Sequence, residues 1–228
     1  MPRSWHRRLW SPQRVRLHGV EVVVDERLGR RSRREIYTGR YERGEAFALL
    51  ARLGAGDRVV EFGTGIGLLA ILAARRVGSE LVTTYEPNPR LLPLISENCR
   101  LNEVEPLVIP GAVGVGRGST ILHLGDDHRS ASTHGETASD AESFAVPLFD
   151  AAEEVRRFQP SFVIVDVEGC EREVVPVIDW SPVEKILLEL HPQWLEPGDE
   201  NRIRDHLLAE GFQVDPIVST SRKLFLSR

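Results

Sequence analysis

Cysteine is almost missing from this chain. Cys99 and Cys170 are the only two among 228 residues, and they stand in no CxxC or zinc-ligand spacing. That excludes a disulfide-stapled scaffold and a zinc ribbon, and it fits a reduced, cytoplasmic protein. Long apolar runs are missing too. None approaches the ~20 residues that span a bilayer, so no membrane span is expected. The N-terminus, MPRSWHRRLWSPQRVRLHG, is basic but lacks the apolar stretch of a secretory signal. No internal repeat is evident. Three histidines, His123, His128 and His134, fall at irregular spacing in or beside the polar stretch 125–145 and offer a metal-ligand alternative, with no recognised ligand spacing behind it.

What is present is a sizeable apolar fraction, 41% of the chain, enough for one large domain. Its charge is uneven. Residues 1–43 hold twelve Arg against five acids, so the remainder carries the acidic excess behind the net −5. Such an arm suits an anionic partner or a solvated face, and no nucleic-acid motif accompanies it, so no nucleic-acid partner is expected. Residues 1–57 read as an N-terminal extension, with a hairpin in RVRLHGVEVVV and a helix in RYERGEAFALLARLG.

From residue 58 the chain alternates strand and helix patterns. Strands are expected at 58–62, 80–86, 106–114, 162–166 and 185–191, and helices at 67–76, 89–102 and 200–212. QVDPIVS and RKLFLSR close the chain as a strand pair. The rhythm predicts an α/β fold over 58–228, a Rossmann-like, mostly parallel sheet with an antiparallel C-terminal strand. Residues 125–145 are almost all small or polar, and read as a loop, either a lid or a plain linker.

The turn after the first of these strands, VVEFGTGIGLLA, places Gly63, Gly65 and Gly67 between strand and helix. The dinucleotide fingerprint G-x-G-x-x-G/A would need its last small residue at Leu68, so NAD is disfavoured. The G-x-G-x-G spacing behind an acid, Glu61, suits S-adenosylmethionine (SAM), whose ammonium group matches a strand-end carboxylate. Glu86 ends the next strand, 19 residues past Gly67, where a carboxylate can accept both ribose hydroxyls. Asn88 and Pro89 read as an N-cap and N1 pair.

The stretches YERGE, VVEFGTGIG, YEPNP, ENCRLN, GAVG, DVEGCE and LLELHP resemble the FkbM family of SAM-dependent methyltransferases, within the class I superfamily. The similarity covers about residues 37 to 192. DVEGCE and the paired Asn98 and Asn102 are its more specific parts. Two positions depart from the family pattern. Glu61 stands where many members have Asp, and Ile164 stands where many have Lys, which leaves that lysine's role unfilled. The resemblance implies SAM as cofactor and O-methylation of a hydroxyl on a sugar, glycan or other small molecule. It implies a cofactor pocket built from Tyr41, Glu61, Gly63, Thr64, Gly65, Gly67, Glu86, Pro87 and Asn88. Ala112 and Val113 would border the adenine, and Asp166 would face the methionine end. A homodimer is compatible with this reading.

Catalysis would fall to Asp166 and Glu168 at the end of one strand and Glu189 and His191 at the end of its neighbour. Strand alternation puts each pair on one face. Glu168 is the expected base and His191 the alternative, its unperturbed pKa being near 6.5. Asp166 could instead cap the following turn, and His191 could simply close a strand. Glu171 and Glu173 read as first-turn helix acids, and Cys170 as a packing residue. Three other readings stand beside this one: a nitrogen or carboxylate acceptor, a non-catalytic SAM-fold protein with a basic partner-binding arm, and, least favoured, an NAD-dependent oxidoreductase.

Overall fold

The structure is a computed structural model and describes residues 13–124, 131–132 and 142–228. It opens on an antiparallel hairpin, β1 (Arg14–Leu17) and β2 (Val20–Val23), followed by α1 (Arg30–Tyr37) and α2 (Arg43–Arg52). The alternating part begins with β3 (Val59–Phe62), α3 (Leu68–Val77), β4 (Val82–Glu86), α4 (Leu92–Leu101) and β5 (Leu107–Pro110). Next come β6 (Ala112–Gly114), β7 (Gly118–Leu124), β8 (Ala131–Ser132) and β9 (Glu142–Asp150). The chain closes with α5 (Ala151–Phe158), β10 (Phe162–Val165), α6 (Glu171–Val174), β11 (Lys185–Glu189), α7 (Asp199–Ala209), β12 (Gln213–Val214) and β13 (Lys223–Ser227).

The central sheet has seven strands in the order β5-β4-β3-β10-β11-β13-β12. From β5 to β11 every pairing is parallel, and β13 alone runs against the rest. This is the expected sheet, reversed C-terminal strand included. Sequence explains it directly. FVIV of β10 is buried on both faces, as a strand covered by helices on either side must be. Val59 and Phe162 join one core with α3 and α4, while Val60 and Val163 join the other with α5 and α7.

Three expectations change. The single strand over 106–114 is two strands in two sheets: β5 ends the central sheet, and β6 pairs with β9 in a second sheet ordered β6-β9-β7-β8. The chain divides at Gly111, where any Cβ would stand 2.5 Å from the Phe149 ring. The polar stretch 125–145 is not wholly a loop, since residues 142–145 belong to β9 and 131–132 form β8. Its other residues lie outside the described ones, and the lid reading with them. Finally, α4 begins at Leu92 instead of 89. Pro93, which has no N–H to leave unpaired, occupies the first turn. Asn88 forms the preceding turn, its carbonyl accepting the Leu91 N–H (3.0 Å) and its Oδ1 the Arg90 N–H (3.0 Å).

The N-terminal extension is tied into the same core. Leu17, Val20 and Val22 pack in one cluster with Ile71 and Ile95. Two asparagines of α4 fasten the hairpin. Asn98 Oδ1 accepts the Val23 N–H (2.8 Å) and Asn102 Oδ1 accepts the Glu21 N–H (3.0 Å). Asn102 also donates to the Glu21 carbonyl (2.7 Å), and Asn98 to the Ile66 carbonyl in the glycine turn (2.9 Å). These bonds occupy the β2 edge that a bare hairpin would leave open. Residues 1–12 of the basic arm lie outside the described ones.

Candidate active site

The chain leaves β3 toward β4 and β5 on one side and returns to β10 on the other. At such a switch point a crevice opens beyond the carboxyl ends of the strands. A cleft of about 430 Å³ lies there, inside the ~300–1,000 Å³ range of small-molecule sites.

Its floor is the glycine turn. Gly63 has φ 95° and Gly65 φ 57°, in the left-handed region that glycine enters without strain. The turn is held close: the Gly63 and Thr64 N–H groups both donate to the Tyr85 carbonyl (3.0 and 3.1 Å). A Cβ on Gly63 would stand 2.1 Å from the Asp166 carbonyl oxygen, and one on Gly65 would stand 2.8 Å from the Tyr41 hydroxyl. Glu86 is clamped against this turn. Its Oε2 accepts the Gly65 N–H and its Oε1 the Asn88 N–H, both at 2.8 Å. Burial pushes the Glu86 carboxyl up to about 8, helped by the Asp166 charge and opposed by those N–H bonds.

The structure divides the expected cofactor residues. Tyr41, Gly63, Gly65, Glu86, Pro87, Ala112, Val113 and Asp166 line the cleft. Glu61, Thr64, Gly67 and Asn88 are not among the lining residues and stand behind its wall. Glu61 accepts the Thr84 hydroxyl, which is bonded in turn to the Thr64 hydroxyl. Burial lifts Glu61 to about 8, and its expected direct contact with a bound ammonium is not available from this position. Gly67 lets α3 approach α4, where a Cβ would meet Ile95 at 3.3 Å. Asn88 acts on the cleft through its backbone N–H to Glu86.

Asp166, Glu168, Glu189 and His191 all line the cleft, but strand alternation is not what brings the first two together. β10 ends at Val165, and Glu168 has φ 46°, followed by Gly169 at φ 101°. A non-glycine residue in that region costs roughly 1–3 kcal/mol and is characteristic of functional sites. Asp166 does not cap α6, whose N-cap is Cys170.

His191 is built into the site by a residue the sequence left structural. Glu171, fully buried, accepts the Gly169 N–H (3.1 Å), and the same oxygen stands 2.6 Å from His191 Nδ1. His191 Nε2 then points to Asp166 Oδ1 at 3.5 Å. Burial pulls the imidazole down, but the Glu171 hydrogen bond and the charges of Asp166, Glu171 and Glu168 outweigh it and push His191 up to about 9. This upward push favours the protonated ring and weighs against His191 as the base. Glu189 is raised to about 8 by burial and by Asp166, against the pull of Lys223. His123 bonds Ser143 Oγ (2.9 Å), away from the cleft, and His128 and His134 lie outside the described residues.

The wall opposite comes from the extension. Arg27, Leu28, Gly29, Arg31 and Ser32 line the cleft, as does Glu42 at the start of α2. Only the arginine excess of residues 1–43 hinted at this. Arg27 is engaged by Asp25 and by Glu97 at 3.0 Å.

No protein-family model matches the chain. A ribosomal protein L11 methyltransferase of Geobacter sulfurreducens is 43% identical over 75 residues, which cover 32% of this chain and 25% of that protein. The match thus spans a quarter of that relative's length. A candidate SAM-dependent methyltransferase of Streptococcus mutans superposes with TM-score 0.52 at 9% identity, over 96% of this chain and 56% of the other. A precorrin-6y C5,15-methyltransferase of Geobacter metallireducens gives TM-score 0.46 at 14% identity, over 77% and 73%. Strand order, the single reversed strand and the Streptococcus likeness together show that this chain has the class I SAM-dependent methyltransferase fold.

Proposed function

We propose that this protein is a SAM-dependent methyltransferase that methylates a hydroxyl oxygen of a sugar, glycan or other small molecule, as its resemblance to the FkbM family implies. The observation that carries the reading is the cleft at the switch point, where two glycines without room for a Cβ meet a carboxylate clamped by their own loop. The residues fit the cofactor. Gly63 and Gly65 leave backbone open to it, Glu86 can accept ribose hydroxyls, and Ala112, Val113 and Leu122 offer an apolar wall. An acid-rich floor suits a ligand carrying ammonium and sulfonium charge.

When bound, SAM supplies an electrophilic methyl group. The chain's task is to hold an acceptor oxygen in line with it and to exclude water. Asp166 positions the methionine end, and Glu168 takes the acceptor's proton, a contribution worth ~10²–10⁴ in rate. A cytoplasmic site of action and a homodimer belong to this proposal.

A protein acceptor is the second reading, favoured by the relative whose name gives a ribosomal protein as its substrate. Methyl-labelled SAM, offered with a panel of glycosides and, separately, with ribosomal proteins, separates the two. Label released from product as an O-methyl sugar supports the first reading. Label held on protein nitrogen overturns it.

A further inference from the structure

Asp166, Glu189 and His191 each present one donor atom, and the three lie within 4.8 Å of one another. They come from the ends of two neighbouring parallel strands, and all three line the cleft. A first-row divalent ion binds such donors at ~2.0–2.2 Å, so donors on opposite sides of it stand about 4 Å apart. The set is thus slightly open, and two of its members can close it. The side chains of Asp166 and Glu189 are 34% and 23% exposed, whereas His191 is fixed.

His191 supplies a second, independent sign. It is more than nine-tenths buried. Its Nδ1 is taken by the fully buried Glu171, while Nε2 makes no hydrogen bond and faces Asp166 at 3.5 Å. A ligating histidine characteristically gives its other ring N–H to a carboxylate, which fixes the tautomer and aims the free nitrogen at the metal. Nothing about a helix first turn requires Glu171 to reach twenty residues ahead. Acids outnumber cations around the set, although Arg27, Arg31 and Arg222 also line the cleft. Glu45, Glu168 and Glu171 add to the two ligand carboxylates, and Lys223, 3.8 Å from Glu189, is held more closely by Glu45.

We propose that Asp166, Glu189 and His191 bind a divalent metal ion, with Glu171 as the positioning residue behind His191. One imidazole with two carboxylates suits manganese, cobalt or zinc better than calcium or magnesium. The three donor residues line the cleft together with Glu168. The site stands without the methyl-transfer reading, but its catalytic role rests on that reading. There the ion polarises the acceptor hydroxyl. The hydroxyl proton passes to Glu168, and the oxygen forms its bond to the methyl carbon as the C–S bond breaks, sulfur keeping the electron pair.

The test is manganese(II) binding to the full, chelator-stripped chain, read by loss of the free-ion electron paramagnetic resonance signal. Spin-echo modulation from a coordinated imidazole nitrogen reports the ligand. The expected result is one saturable ion per chain with nitrogen coupling. His191→Ala should abolish the coupling. Asp166→Asn should weaken binding at least ~10-fold, and Glu171→Gln by ~10–100-fold, both with coupling kept. Circular dichroism checks each fold, and Asp166→Asn, at a partly exposed position, serves if Glu171→Gln does not fold. No saturable binding by the wild type, or wild-type affinity in a folded His191→Ala, overturns the site. A parallel SAM titration of the stripped protein separates the two proposals. SAM binding without manganese binding removes only the metal site. Manganese bound with nitrogen coupling, but no SAM binding, removes only the methyl-transfer reading.

Discussion

Asp57 and Glu86 are both buried carboxylates at the rim of the central sheet, one at its amino end and one at its carboxyl end. Asp57 accepts the Lys185 ammonium (2.7 Å), the Gly54 N–H (2.6 Å) and the Ser161 hydroxyl (2.8 Å). Burial alone would raise its pKa, but Lys185 and those hydrogen bonds hold it below the usual range. Glu86 has backbone donors and no cation, and it is pushed up to about 8. The same residue class is paired with a cation at one end and left without one at the other. The amino end ties three strands together; under the proposed function, the carboxyl end receives its cation from outside.

The comparison breaks most sharply at glycine. Gly63→Ala should cost about 3 kcal/mol or more, because its Cβ would meet the Asp166 backbone and its φ is positive. Gly56→Ala, at the opposite end with nothing within 4 Å, should change stability by no more than about 0.5 kcal/mol. Urea unfolding of the two variants measures both. Equal losses would mean that the switch point is not specially close-packed.

Next in size is the amino-end pair itself. Asp57→Asn leaves Lys185 without its carboxylate and should destabilise by about 2–3 kcal/mol. A loss under about 0.5 kcal/mol in the same unfolding assay would make the network ornamental.

The two ends should also respond oppositely to pH. Asp57, with a lowered pKa, contributes stability above its unfolded value of ~3.9, and this is lost as pH falls through its folded value. Glu61 and Glu86 are raised to about 8, so their contribution is fully present below ~4.3 and lost as pH rises through about 8. Thermal melts of the ligand-free protein should therefore drop by several degrees from about pH 6 to pH 9, at ~2–4 °C per kcal/mol. Glu86→Gln should flatten that slope. A melt insensitive to pH in this range would contradict the raised acids.

Most of the central sheet was legible because its signals are local. Buried β-branched runs such as FVIV, and glycines placed between strand and helix, carry their own periodicity and turn chemistry. The second sheet was not, since β7 and β9 flank a polar stretch and expose much of their length. α1 was missed because RRSRREIY shows a single apolar anchor, Ile36, among arginines. In the site, Gly63, Gly65, Glu86 and the four strand-end groups could be read from position. Glu171 could not, because its partner His191 lies on another strand end. The environment of His191 was hidden for the same reason: an unperturbed pKa says nothing of three carboxylates that only the fold assembles.

The central claim is that the carboxyl end of the sheet holds SAM, and calorimetric titration tests it most directly. The wild-type chain should bind SAM and its demethylated product saturably. Glu86→Ala should weaken binding by ~1.5–3 kcal/mol, or roughly ten- to a hundred-fold. Gly65→Arg, placed where even a Cβ would crowd the Tyr41 hydroxyl, should abolish binding in a chain that still folds. No binding by the wild type, or undiminished binding by folded Gly65→Arg, would contradict the account.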